Sequence, residues 1–227
     1  MKRRNSASAD FTEGAAGEIR ARPRLIVGIS GASGVIYGAR LLELLRPLPV
    51  ETHLVISRTA DLTLAVETDL KPATVRARAD VVHANSDLAA PISSGSFKTM
   101  GMVVAPCSIR SMAEIASGVT TTLLSRAADV VLKERRRLVL LVRETPLHTG
   151  HLRTMTALSE MGAVIAPPVP AFYAKPQTLE EMIDQTLGRV LDLFDLEIGL
   201  VRRWGEPSAE GVEGAHRIRE KPRRATE

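Results

Sequence analysis

The chain has 227 residues, 44% of them apolar, which suffices for one buried core and predicts a single domain with tails. Its formal charge is +4, but residues 1–24 hold a surplus of three basic groups and residues 205–227 balance at five of each sign; with 3% aromatics and no basic stripe, the core carries no nucleic-acid footprint. No apolar run reaches the ~18 residues of a membrane span, and the N-terminus lacks the charged-then-apolar order of a secretory signal, so the expectation is a cytoplasmic protein without membrane contact.

Residues 1–23, polar and rich in small side chains, are predicted to be a disordered tail. The fold begins at residue 24. Residues 25–29 form a short β-branched run closed by a Ser/Gly cluster, the pattern of a strand buried on both faces. Over 35–45, Ile36, Ala39, Leu42 and Leu45 recur at helical spacing, and Pro47 and Pro49 stop the helix. The alternation continues with a strand at 53–56, a helix at 59–67, buried strands at 102–105 and 138–142, and two helices between them at 111–116 and 122–133. A short strand at 163–165 and a long amphipathic helix at 179–196, carrying Ile183, Leu187, Val190, Leu191 and Phe194, complete the domain at 204. Residues 205–227 show no apolar period and read as a second disordered tail. Strands alternating with helices predict an α/β fold of three layers, a mostly parallel sheet with helices on both faces, Rossmann or flavodoxin-like.

In such a sheet the ligand lies outside the carboxyl ends of the strands, so the residues just after each strand are the informative ones. They are Ser30-Gly31-Ala32-Ser33-Gly34, Ser57-Arg58, Pro106-Cys107-Ser108 and Arg143-Glu144-Thr145-Pro146. This rim of hydroxyls and cations suits a phosphate-bearing ligand held by backbone amides and helix N-termini. The glycines at 28, 31 and 34 do not follow the dinucleotide spacing, and a tight strand-to-helix turn would need them equally. The end of the second strand is Ser57, with Glu51 at the wrong end for a ribose contact, which favours a mononucleotide; Arg58 leaves a 2′-phosphate dinucleotide open.

Other residues have two readings. Cys107, the only cysteine, is either a nucleophile at the rim or, as free cysteines more often are, a small buried hydrophobe. His148 and His151 lack further ligands at metal spacing and fit a polar helix start; no metal site is expected. Lys133 to Arg137 reads as a charged helix end in which residues 135–137 face solvent or a neighbouring subunit. Tyr173 could be a core aromatic with its hydroxyl satisfied, and Glu67 and Arg189 could be surface residues.

The segments GISGASGVIYG (28–38), ETD (67–69), SSGSF (93–97), APCS (105–108), LLSRAADVVLKERRRLVLLVRETPLH (123–148), PPVPAFYAKPQ (167–177) and QTLGRVLDLF (185–194) together resemble the UbiX family of flavin prenyltransferases over residues 24–204. The resemblance implies joining of a dimethylallyl group, from dimethylallyl phosphate, to N5 and C6 of reduced FMN without a metal, giving prenylated FMN for a UbiD-type decarboxylase in ubiquinone synthesis or aromatic-acid breakdown. It implies that Gly31, Ala32, Ser33, Ser57, Ser108, Ile109, Arg110, Ser111 and Arg143 hold FMN. Lys133, Glu144, Tyr173 and Arg189 would surround the allylic phosphate, with Arg126 nearby and Glu67 also on the substrate side. Ser33, Glu144 and Lys133 would be the catalytic groups, the first two relaying protons. The family also implies a homo-oligomer, a dodecamer with its sites at subunit contacts. Leu88 stands near where some members carry a Trp beside the prenyl group, leaving an aliphatic wall in place of a π-face. A flavin-dependent cysteine decarboxylase shares the implied fold, but the position after GASG offers Val35 and Ile36 where such enzymes use a His. A non-catalytic flavin carrier is the third reading.

Overall fold

The structure, a computed structural model, describes residues 22–205. The expected disorder of the two tails concerns residues that lie almost wholly outside that range. Six strands, β1 (Arg24–Ile29), β2 (Glu51–Ile56), β3 (Val81–His83), β4 (Gly101–Cys107), β5 (Arg137–Val142) and β6 (Val164–Ile165), form one sheet in the order β3-β2-β1-β4-β5-β6. Every pairing is parallel. Seven helices accompany them: α1 (Val35–Leu45), α2 (Arg58–Glu67), α3 (Pro72–Arg76), α4 (Ile109–Ala116), α5 (Leu123–Lys133), α6 (Thr149–Glu160) and α7 (Leu179–Asp192).

The central strands are apolar throughout because both faces are covered, and alternate residues part to opposite sides. Leu25, Val27 and Ile29 join Leu41, Leu42, Leu45, Leu187 and Leu191 in a core built on α1 and α7. Ile26 joins Met102, Met112, Leu123, Leu124, Leu138 and Leu158 in a second core under α4, α5 and α6. Helix α1 approaches the sheet so closely that a Cβ on Gly38 would lie 2.3 Å from the carbonyl oxygen of Ala105. The strand order reverses between β1 and β4, which grow outward in opposite directions, and this is where an open parallel sheet leaves a crevice for a ligand.

The chain departs from the sequence expectation in identifiable ways. β4 runs on through Pro106 and Cys107, which the sequence placed in a loop; the ladder to β5 shifts register between Val104 and Cys107, and that irregularity accommodates a residue with no N–H. α7 stops at Asp192, four residues early, and Asp195 at φ 57° turns the chain away. Arg136 does not face solvent: its guanidinium donates to the carbonyls of Phe97 and Gly95 at 2.8 and 2.6 Å.

Candidate active site

The carboxyl ends of β2 and β4 pass into a helix through a single residue and that of β1 through the loop 30–34, so three helix N-termini lie at this edge of the sheet. Ser57 and Ser108 cap two of them, accepting from the amides of Ala60 at 3.1 Å and Ser111 at 3.2 Å. The third is capped from a distance. The Glu67 carboxylate accepts from the amides of Gly34 and Val35 at 2.8 and 3.2 Å, tying the end of α2 to the start of α1. Capping leaves other first-turn amides, with their partial positive charge, directed at the crevice.

The loop after β1 is shaped by its glycines. A Cβ on Gly31 would lie 2.4 Å from Thr59, and Gly34 sits at φ 94°, where a side chain is strained. Beneath the loop, Ser30 joins the two central strands. Its buried hydroxyl donates to the Pro106 carbonyl at 2.9 Å and accepts from the Ser108 amide at 2.7 Å. Across the crevice, Arg143 follows β5, and its Nε donates to the Ser33 carbonyl at 3.1 Å. Tyr37, half-buried one turn into α1, has its phenol pushed up by burial, an effect the nearby Arg143 charge opposes. Glu144, next in the chain, is exposed and accepts from the Thr145 amide at 3.0 Å.

Gly31, Ala32, Ser33, Ser57, Ser108, Ile109, Arg110, Ser111, Arg143 and Glu144 therefore gather along one rim of the sheet, although Arg110 is exposed and paired with Glu114 at 2.8 Å. Hydroxyls, helix N-termini and one guanidinium suit the phosphate and polar edge of FMN. Glu67 reaches this rim as a cap. Cys107 is fully buried beneath it with its thiol pushed up to about 12 by burial, the state of an inert hydrophobe rather than a nucleophile.

The remaining residues lie elsewhere in the chain. Lys133 ends α5, beside the start of β5, and β5 then runs its length before Arg143, a separation of about 20 Å at the strand rise. There Lys133 pairs with Glu134 at 2.5 Å beside Gly95, and Arg126, two turns earlier on α5, donates to the Ser93 carbonyl at 3.2 Å and pairs with Asp129. A third group lies on α7 and the segments around it. The Tyr173 hydroxyl accepts from Gln185 at 3.3 Å, its ring meets Trp204 edge-on, and Arg189 pairs with Asp192. Leu88 is exposed, in the loop after β3. One chain thus assembles the FMN-type rim but sets Lys133 apart from it by the length of β5.

Sequence reasoning missed two positioning roles. Ser30 was visible only as one of several loop hydroxyls, and Glu67 gave no local signal because its partners are 32 and 33 residues away. His148 bears out the reading as a helix start: its Nδ1 accepts from the Gly150 and His151 amides at 3.0 and 3.4 Å.

A sequence model of the Flavoprotein family matches residues 15–196. Flavin prenyltransferase UbiX of Escherichia coli is 60% identical over 184 residues, covering 80% of this chain and 97% of that protein. UbiX of Thauera aromatica is 54% identical over 181 residues, 80% of this chain and 93% of its own. Among solved structures, AnUbiX (PadA1) in complex with FMN and dimethylallyl pyrophosphate is 54% identical, with a TM-score of 0.81 over 82% of this chain and all of that one. A dodecameric FMN-dependent UbiX-like decarboxylase from Escherichia coli is 50% identical, with a TM-score of 0.79 over 81% of this chain and all of that one. A cysteine decarboxylase of thioviridamide biosynthesis, at 17% identity and a TM-score of 0.53, shares the fold alone. The chain belongs to the Flavoprotein family, and within it to the UbiX flavin prenyltransferases.

Proposed function

We infer that this protein transfers a dimethylallyl group from dimethylallyl phosphate to N5 and C6 of reduced FMN, giving prenylated FMN and phosphate. The observation that carries the reading is the closure of Arg143 onto the Ser33 carbonyl, which brings the loop after β1 and the Arg143-Glu144 pair to one rim at the strand-order reversal. Reduced FMN supplies the nucleophilic nitrogen and the aromatic carbon. Arg143, Ser57 and the amides around Gly31 to Ser33 and Ser108 to Ser111 would hold it in line with the allylic carbon, where orientation contributes much of the rate. Lys133, Arg126, Arg189 and the Tyr173 hydroxyl would stabilise the phosphate as it gains charge on leaving, the role a metal ion plays elsewhere. Glu144, exposed beside Arg143, would take the ring proton from C6, with Ser33 passing protons at the same rim.

The length of β5, about 20 Å, separates the end of α5 at Lys133 from Arg143, and this supports a site completed by neighbouring chains. A homo-oligomer, a dodecamer with its sites at subunit contacts, accounts for this. Exposed Val169, Phe172, Leu179 and Trp204 supply apolar surface for such contacts. Residues 24–204 form the functional unit in this reading. No described helix is long and apolar enough to cross a membrane, and we place the protein in the cytoplasm, with its product passing to a UbiD-type decarboxylase.

Anaerobic incubation of the purified protein with reduced FMN and dimethylallyl phosphate should give a flavin heavier by one five-carbon unit. Glu144→Ala should retain FMN and lose most of the rate. Recovery of unmodified FMN alone from the wild-type protein refutes the transferase, and full activity in Glu144→Ala favours a flavin carrier.

A further inference from the structure

A cavity of about 670 Å³ opens at the carboxyl ends of β2 and β3, lined in part by Arg58, Asp61, Arg76, His83 and Asn85 and by none of the rim residues assigned to FMN. Its volume is that of a small-molecule site. Three features of its wall specify chemistry. The guanidinium of Arg58, the first residue of α2, makes no hydrogen bond or ion pair among the described residues, and that of Arg76 uses a single N–H, donating to Asp61 Oδ2 at 2.7 Å. Asp61 Oδ1 is buried and has no hydrogen-bond partner among the described residues, which is uncommon for a carboxylate oxygen. His83 ends a relay: Glu51 Oε1 lies 2.8 Å from Nε2 of His53, whose Nδ1 lies 3.0 Å from Nε2 of His83.

The relay fixes a tautomer. Glu51 is ionised, held below the usual carboxylate range first by its hydrogen bond from His53 and also by Arg24, so it accepts the His53 Nε2–H. With both rings neutral, His53 Nδ1 accepts from His83 Nε2–H, which leaves Nδ1 of His83 as an acceptor. The cavity thus offers two guanidinium groups against one carboxylate, a net positive charge, beside one buried carboxylate oxygen without a partner and one imidazole nitrogen able to accept. An anion satisfies the first requirement, and phosphate matches guanidinium geometry best. The donor to Asp61 must be uncharged, since an ammonium would face both arginines; a hydroxyl meets this.

We propose that this cavity is a second ligand site, separate from the flavin rim, for a phosphomonoester that carries hydroxyl groups. The phosphate lies on Arg58 and the free edge of Arg76, and hydroxyls donate to Asp61 Oδ1 and His83 Nδ1. Equilibrium dialysis of the FMN-saturated full chain against ribose 5-phosphate, with orthophosphate as the simpler probe, tests it. Saturable binding should weaken at least tenfold in Arg58→Gln for both probes. Asp61→Asn should weaken ribose 5-phosphate about fivefold and leave orthophosphate at least as tightly held. FMN affinity should stay within twofold in both variants, which also verifies folding. The proposal is overturned if neither probe binds, if FMN saturation abolishes binding, or if Arg58→Gln has no effect. Equal affinity for the two probes, unchanged by Asp61→Asn, overturns the hydroxyl contact.

Discussion

Replacing Ser30 by Ala removes one oxygen from the point where β1 and β4 diverge. The Pro106 carbonyl keeps a partner, because the Ser30 amide also donates to it at 3.2 Å. The Ser108 amide loses its acceptor, which lies at 2.7 Å, the shorter of the two hydroxyl bonds. An unsatisfied amide costs about 1–3 kcal/mol when fully buried. Ser108 is only half-buried and water can replace part of the bond, so the lower half of that range applies. For a domain of this size each kcal/mol lowers Tm by roughly 2–4 °C, giving an expected fall of roughly 2–8 °C. The lesion sits at the N-terminus of α4, so FMN binding should weaken too, by at most about tenfold, the equivalent of 1.4 kcal/mol. Thermal denaturation, flavin-fluorescence titration and amide exchange at Ser108 read the three effects. A Tm within 1 °C of wild type, with unchanged exchange at Ser108, refutes the assignment of Ser30 as the link between the strands.

Gly38→Ala should be more damaging than an ordinary helix Gly→Ala change, because its Cβ meets the Ala105 carbonyl oxygen at 2.3 Å and α1 must move off the sheet; a loss of about 1–3 kcal/mol in denaturant unfolding is expected, and a stabilised variant would contradict the packing. Cys107 should resist a thiol reagent at pH 8 in the native protein and react after unfolding; rapid native labelling would show the thiol is neither buried nor raised. Acidification should cost stability in two steps. The His83 pKa is lowered by burial, then by His53, with Asp87 opposing, so the native state binds fewer protons than the unfolded one just below pH 6.5. That contribution is complete above 6.5 and is lost as pH falls from there; the Glu51 contribution is complete above 4.5 and is lost below it. Urea unfolding from pH 7.5 to 4 should show both losses, and His83→Gln should remove the upper one. Finally, mixing Lys133→Ala chains with Arg143→Ala chains before reassembly should restore prenylation that neither has alone, if the two residues serve one site from different subunits; no recovery would place both in the same chain's site.

How much of this was legible in the sequence depended on burial. The strands at 25–29, 53–56, 102–105 and 138–142 were readable because two covered faces leave no polar position, and the helix at 35–45 because its apolar stripe meets the sheet directly. β3 escaped: it is a three-residue edge strand, and none of its residues is buried. α6 escaped as well beyond its start at His148, since only Leu158 of its twelve residues is buried, with Met155 packed partly against the same core, and so short a stripe has no period to detect. The hydroxyls after each strand were visible because the topology alone says where they gather. Glu67 as a cap, Ser30 as a strand link, Arg136 on the Gly95 and Phe97 carbonyls and the Glu51-His53-His83 relay were not, because each joins segments distant in the chain.

The division of the site follows from the same topology. A parallel sheet gathers every strand-to-helix junction at one edge, which suits a flavin phosphate, and every helix-to-strand junction at the other, where Lys133 falls. No rotamer change bridges about 20 Å, since an extended Lys or Arg side chain reaches less than half that distance; in the proposed assembly Lys133 would meet Arg143 by a second chain presenting its helix-to-strand edge to the first chain's crevice. The held position of Lys133 against Glu134 and Gly95, and of Arg126 against Ser93 and Asp129, fits such a presentation, because cations fixed on their own chain's loop arrive at the neighbour already oriented. Assembly would then complete the phosphate-binding half of the site without any rearrangement of the flavin rim.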